Sequence, residues 1–266
     1  MGWLSGLARA LGLGPWVSTA TIPEALWQAL LVDYPFLAWR SPADQAQLRL
    51  LCGQFLRQKE FHGAQGFEVT DPIALAVAAQ ACLPVLKLGL MAYRGFVGIV
   101  MHEGPVRADR EWVDEHGLVH HWQEELVGEA MGDGPVMLCW NDGAAPGLES
   151  IGGPAFNVVI HEFVHILDGL DGELDGVPPL PGGARAQWQP TMQAAFDRFD
   201  ERRACGYDSV MDAYGAQDIA EFFAVSSEAF FTQPQGFRDE QADLYRLYAG
   251  FYRQDPATWA EPRQDG

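Results

Sequence analysis

The 266-residue chain has few cysteines and no long hydrophobic run. Its four cysteines, Cys52, Cys82, Cys139 and Cys205, are widely spaced and form no CxxC pair. This spacing argues against a disulfide framework and predicts buried free thiols in a reducing compartment. A membrane-spanning helix needs about 18 uninterrupted apolar residues, and no such stretch occurs. We therefore expect a soluble cytoplasmic protein with no membrane contact.

Positive charge is also scarce. Lys and Arg number 17 against 36 for Asp and Glu, which gives a net charge of −19. No basic stripe offsets this field, so the composition argues against direct nucleic-acid binding. Hydrophobic residues make up 48% of the chain and aromatic residues 12%. That content is ample for a folded core and excludes a disordered protein.

Hydrophobic periodicity predicts an α+β fold dominated by helices, with a small central sheet. The predicted helices cover residues 22–61, 73–83, 156–168, 188–205, 218–233 and 240–252. The predicted strands cover residues 67–70, 96–101, 117–120 and 136–140. No repeat or shift in composition marks a boundary, so we expect one domain over 22–254, with an N-terminal extension (1–21) and a C-terminal tail (255–266).

The chemistry concentrates in the segment His161-Glu162-Phe-Val-His165. His161 and His165 are four residues apart, so they lie on one face of a helix and both imidazoles can reach one metal ion. Glu162 is offset by one residue, which places its carboxylate beside the metal, where a general base takes a proton from water. The alternative is a pair of structural histidines, but the apolar residues around the motif do not fit an ordinary surface helix.

A catalytic zinc site usually has three protein ligands and an open position for water. The third ligand is best sought on the predicted helix 218–233, where Glu221 and Glu228 share one face among phenylalanines. A carboxylate in such surroundings is costly unless a metal or hydrogen bonds compensate it. Helical spacing alone does not choose between the two glutamates.

These motifs resemble the Mlc titration factor A family of zinc metallopeptidases. The matching runs are HEFVHILD, DGELDGVPPLP and Tyr214-x6-Glu221-Phe-Phe-Ala, with further stretches at 73–93, 134–140 and 156–162. The resemblance covers about residues 22–252. A more distant likeness is to the catalytic domain of the anthrax lethal factor, which shares HExxHxxD and Tyr-x6-Glu-Phe-Phe-Ala.

The resemblance implies a zincin-like fold of the gluzincin type and a Zn²⁺ cofactor. It implies His161, His165 and Glu221 as zinc ligands, Glu162 as general base and Tyr214 as the hydroxyl that stabilises the oxyanion. It also implies an aminopeptidase-like activity on peptide substrates and binding to a glucose-responsive transcriptional repressor, Mlc.

Position along the helix favours the same third ligand. We expect Asp218 to cap the helix and Tyr214 to lie on the preceding loop. A hydroxyl there reaches a metal most easily if the ligand is near the start of the helix, which favours Glu221. The two glutamates are two turns apart, about 10 Å along the axis, so both cannot contact one ion. Glu228 is then expected to support the site from behind.

Three features stay open. His120, beside His121, either occupies the open metal position or is a surface histidine at a strand end, and the second interpretation is favoured. Asp168 either holds a ligand imidazole by a hydrogen bond or plays no such part. The acidic residues from Asp168 to Asp175 do not have the spacing of a calcium loop, which favours a solvated loop.

The leading hypothesis is a zinc-dependent metallopeptidase. The alternative is a regulatory protein that sequesters a repressor and in which zinc is structural or vestigial. A structural site is normally closed by four protein ligands, whereas only three are assigned here, and this favours an open catalytic position.

Overall fold

The computed structural model describes residues 22–104, 106–113, 119–126, 128–130, 134–140 and 154–259, with backbone alone for 106–113, 119–126 and 129–130. Helices predominate, as the sequence predicts. The α-helices are α1 (Glu24–Asp33), α2 (Pro35–Ala38), α3 (Pro42–Gln58), α4 (Asp71–Cys82), α5 (Val158–Asp168), α6 (Arg185–Ala204), α7 (Ile219–Thr232), α8 (Pro234–Glu240) and α9 (Ala242–Tyr252). The strands are β1 (Glu60–Gly63), β2 (Gly98–Glu103), β3 (Val106–Val113), β4 (Val119–Leu126), β5 (Gly128–Ala130) and β6 (Val136–Trp140).

The central sheet has the order β1-β2-β6-β5. The first three strands are parallel, and β5 runs antiparallel to β6 at the edge. Parallel neighbours need a long connection, and α4 supplies it between β1 and β2. Among the described residues, strands β3 and β4 pair only with each other, in a separate antiparallel sheet. The expected α+β architecture with a small central sheet is confirmed.

Two sequence predictions about the first strand are wrong. Residues 67–70 form no strand, and residues 60–61 belong to β1 instead of to the preceding helix. Gln65 and Gly66 both adopt positive φ angles, 53° and 91°, directly after β1. The chain therefore turns away from the sheet there, and residues 67–70 lead into α4.

Two further predictions need correction. The strand predicted at 117–120 is β4 and extends to Leu126, outside the central sheet. Cys205 is exposed just after α6, whereas Cys52 and Cys82 are buried as expected. All four thiols are free.

The core is one continuous cluster of buried residues that spans the helices and the sheet. Helix α4 is buried along almost its whole length, from Ala74 to Cys82, because it is apolar on every face. Helix α7 packs its phenylalanines against α6 and α9, as in the contacts of Phe223 with Trp188 and of Phe230 with Tyr248. Helices α5 and α7 are in contact, which brings the two candidate segments together. No helix in the described part of the chain is both long and apolar enough to cross a membrane.

Candidate metal centre

Helix α5 carries the two histidines because its N-terminus is capped and one of its faces is buried. The Asn157 side chain accepts a hydrogen bond from the backbone N–H of Ile160 at 2.9 Å, which satisfies an otherwise unpaired donor in the first turn. Phe163 and Val164 are fully buried in the core. His161 and His165 stay partly accessible on one face, each with 13% of its side chain exposed.

Glu221 of α7 completes a compact group of three side chains with these histidines. Nε2 of His161 lies 3.1 Å from Nε2 of His165. The Oε2 atom of Glu221 lies 3.1 Å from Nε2 of His161 and 3.4 Å from Nε2 of His165. Zinc bonds of about 2.0–2.1 Å at tetrahedral angles would separate the ligand atoms by about 3.3 Å. The two imidazole nitrogens and the carboxylate oxygen therefore have the spacing and the chemistry of three ligands of a tetrahedral metal ion.

Glu221 is held in place by the start of α7. The cap residue is Asp218, as predicted, and its carboxylate accepts hydrogen bonds from the backbone N–H groups of Ala220 and Glu221, both at 2.9 Å. Burial raises the pKa of Glu221, but the two neighbouring imidazoles outweigh this effect and lower the pKa to about 2. Glu221 is therefore an anion at neutral pH, which is the form that binds a cation.

Glu228 lies behind His161 and is almost completely buried. Its Oε1 atom lies 2.7 Å from Nδ1 of His161, and its Oε2 atom accepts a hydrogen bond from the backbone N–H of Asn157. Burial lowers the pKa of His161, but contacts with Glu221 and Glu228 outweigh it and raise the pKa well above its usual value. The structure thus places Glu221 at Nε2 of His161 and Glu228 at Nδ1 of the same ring.

Sequence reasoning missed two residues of this support. The Asn157 side-chain amide donates a hydrogen bond to Oε1 of Gln80 at 2.6 Å, and Gln80 in turn donates to the carbonyl oxygen of Ala76. Gln80 is fully buried in α4. A single glutamine within an apolar helix was the available signal, because a buried amide requires partners. The polar chain Gln80–Asn157–Glu228–His161 links α4, α5 and α7.

Glu162 and Tyr214 both lie beside the three-residue group. Glu162 is 6% exposed, on α5 between the two histidines. Tyr214 lies on a 3₁₀ turn, Ala213–Ala216, just before α7, and its ring centroid is 6.0 Å from that of His161. Gly215 allows the turn to pack against α7, because a Cβ there would stand 3.1 Å from Cβ of Val225. Tyr214 is 41% exposed, so part of the residue is accessible from solution.

The structure answers the open questions only in part. Asp168 is fully buried and accepts a hydrogen bond from the backbone N–H of Gly176 at 3.0 Å, but it makes no hydrogen bond to His161 or His165. Asp175, from the acidic loop, pairs with Arg185 at 2.6 Å. The side chain of His120 lies outside the described residues.

The chain is similar to known proteins over most of its length. The model of the family described as glucose-regulated metallo-peptidase M90 matches residues 10–253. Mlc titration factor A of Enterobacter sp. (strain 638) is 37% identical over 247 residues, which cover 91% of each chain. The protein of the same name from Klebsiella pneumoniae (strain 342) is 37% identical over 88% of this chain and 87% of its own. That from Escherichia coli (strain SMS-3-5 / SECEC) is 36% identical over 91% of each.

Proposed function

Because the chain belongs to the family of glucose-regulated metallo-peptidases M90, we propose that it is a zinc-dependent peptidase with aminopeptidase-like activity. The observation that carries the proposal is the group formed by His161, His165 and Glu221, with Glu162 on the same helix. Family membership implies a metal ion, and two imidazoles with one carboxylate at near-tetrahedral spacing favour zinc. Three protein ligands leave one position open for water and substrate.

Each remaining residue then has a defined role. A bound zinc ion supplies Lewis acidity, which acidifies water and polarises a carbonyl. Glu162 accepts the proton of the attacking water and returns it to the leaving amine. The Tyr214 hydroxyl donates a hydrogen bond to the oxygen of the scissile carbonyl as negative charge develops on it. Glu228 holds His161 through Nδ1, so that Nε2 faces the metal.

The edge of the sheet supports a peptide as the substrate class. Strand β5 is the last strand of the four and runs antiparallel to β6. Its first residue, Gly128, is in direct contact with Glu162. An edge strand offers unpaired backbone groups to an extended peptide. A substrate paired with β5 would therefore pass beside the proposed general base.

The decisive experiment is the substitution Glu162→Gln in zinc-loaded protein. It keeps the size of the side chain but removes the proton acceptor, so we expect hydrolysis of chromogenic amino-acid amides to fall by about 100-fold or more. Zinc content should be unchanged, because Glu162 is not among the three proposed ligands. Wild-type activity in Glu162→Gln would show that the mechanism is wrong. Wild-type protein that hydrolyses neither the amides nor a peptide library would overturn the function itself.

A second candidate function is binding to an Mlc-like transcriptional repressor, which would place the protein in the cytoplasm. It is favoured by the name of the relatives, Mlc titration factor A, and by the net charge of −19, which suits a partner with a basic surface. The two functions are compatible. Binding of the repressor by both wild type and Glu221→Ala, with hydrolysis by the wild type alone, would separate them.

A further inference from the structure

Gly128 stands against the side chain of Glu162. A Cβ atom built on Gly128 would lie 2.4 Å from Oε1 of Glu162, 2.7 Å from its Cγ and 2.7 Å from Cγ2 of Val158. Carbon atoms in ordinary contact stay about 3.5–4.0 Å apart. The edge strand therefore fits against α5 only because residue 128 has no side chain.

The backbone at Gly128 does not itself require glycine. Gly128 is not among the described glycines with a positive φ, so other residues can adopt its conformation. In the described part of the chain, Gly63 and Gly176 would also bring a Cβ within 3.0 Å of another atom, but there the nearest atom is a backbone carbonyl oxygen. At Gly128 the nearest atom belongs to the proposed general base.

Neither partner can move away without disturbing its surroundings. Gly128 pairs with Leu138 of β6, which is fully buried, so the strand is held in the sheet. Glu162 is 6% exposed, and a clash at its Cγ can be relieved only by a change in χ1, which carries the whole carboxylate to another place. A side chain at position 128 would thus displace the carboxylate or lift the strand from α5.

We propose that Gly128 is a positioning residue, whose missing side chain leaves the space in which the Glu162 carboxylate stands beside the metal-binding group. The inference rests on the proposed function, in which Glu162 accepts the proton. In this proposal, β5 sets the position of Glu162. It does not affect the three metal-binding side chains.

The test is Gly128→Ala in the full-length protein, measured as zinc affinity by chelator competition and as kcat and KM on one amino-acid amide. We expect kcat to fall by about 100-fold, the loss that a misplacement of about 1 Å can cause. Zinc affinity and KM should stay within about threefold of wild type. Gly98→Ala is the matched control, since it lies in β2 of the same sheet and its nearest neighbour is Cβ of Pro135 at 3.3 Å. This control should keep the wild-type kcat.

A double-mutant cycle on metal-free protein tests the contact without activity. Gly128→Ala should lower the denaturation midpoint clearly in the wild-type background and by less than half as much in Glu162→Ala, which removes two of the three obstructing atoms. Should Gly128→Ala fail to fold, Gly128→Ala/Val158→Ala, compared with Val158→Ala, takes its place. With Val158→Ala in both proteins, the two atoms of Glu162 are the only ones of the three obstructing atoms that remain.

The outcomes separate the inference from the function. Hydrolysis lost in Glu162→Gln but retained in Gly128→Ala would overturn the inference alone. Equal destabilisation in both backgrounds, or loss of zinc from Gly128→Ala, would also overturn it, because the strand would then act on the whole site. Wild-type protein without hydrolysis would overturn the proposed function, and the role of Gly128 with it.

Discussion

Helix α7 presents two glutamates to the same imidazole, one to each ring nitrogen. Glu221 lies at Nε2 of His161, has 20% of its side chain exposed and has a pKa lowered to about 2. Glu228 lies at Nδ1, is almost completely buried, and burial raises its pKa. Two glutamates on the same helix therefore have different electrostatic properties. The front glutamate is an ionised group that faces the open side of the site, and the rear glutamate is tied to protein groups.

His165 shows what the site is like without such rear support. Its Nδ1 atom has no hydrogen-bond partner among the described residues, and one oxygen of the nearby Asp168 is in the same state. The orientation of His161 is fixed by Glu228 before any metal binds, whereas that of His165 is not. One histidine of the group is therefore held by a hydrogen-bonding partner behind it, and the other is not.

The largest expected effect distinguishes the two glutamates. Glu221→Ala removes a proposed ligand, so we expect the purified variant to lose its zinc. Glu228→Ala removes only support, for which a loss of about 10–100-fold is typical, and it should retain most of its zinc. Metal analysis of the two purified proteins decides the matter. The reverse pattern would move the ligand to Glu228.

The pH dependence of metal binding is the next effect in size. Because the pKa of His161 is raised, a proton on this imidazole competes with a metal ion up to a higher pH than on an ordinary histidine. Glu221, with a pKa of about 2, releases none. Zinc affinity should therefore fall by about tenfold for each unit that the pH drops below the pKa of His161. Titration calorimetry in two buffers of different ionisation enthalpy measures the released proton.

The folding stability of the metal-free protein has the opposite pH dependence from zinc affinity. A raised histidine pKa contributes stability that is fully present below the usual value near 6.5 and is lost as the pH rises through the folded value. Glu228→Gln removes one cause of the raised pKa, so the loss of zinc affinity should begin at lower pH in this variant. An unchanged pH profile would show that Glu228 does not govern the proton on His161.

The sequence predicted the features of this site that depend on neighbouring residues better than the hydrogen bonds between residues far apart in the chain. The spacing of His161 and His165 and the cap at Asp218 are set by residues close in sequence, and the structure has both where they were expected. The contact of Asn157 with Gln80 joins residues 77 positions apart, and periodicity carries no information about it. Strand β1 was missed for the same reason, since its partner β2 follows only after α4. The ligand roles of His161, His165 and Glu221 stay predictions until metal is measured.

The next prediction concerns Asp168, which lies near His165. Burial raises the pKa of Asp168 from its usual 3.8 to about 6, against the hydrogen bond from Gly176. The folded state then holds a proton that the unfolded state has lost between these two values, so stability falls as the pH rises from about 4 to 6, by about 3 kcal/mol in total. Asp168→Asn should remove this slope in metal-free protein, as measured by urea denaturation at several pH values. A slope that persists in Asp168→Asn would assign it to another group.

The smallest expected effect lies at the far end of the polar chain. Gln80→Leu removes the acceptor of the Asn157 side-chain amide and leaves a buried donor without it, which should lower the free energy of unfolding by about 1–3 kcal/mol. Zinc affinity should change by no more than about threefold, because the backbone N–H of Asn157 still donates to Glu228 and Glu228 still contacts His161. Urea denaturation and chelator competition on the same variant separate the two quantities. A loss of zinc affinity as large as that in Glu228→Ala would mean that α4 sets the position of the His161 imidazole. The support behind the site would then extend from α7 through α5 to the core of the protein.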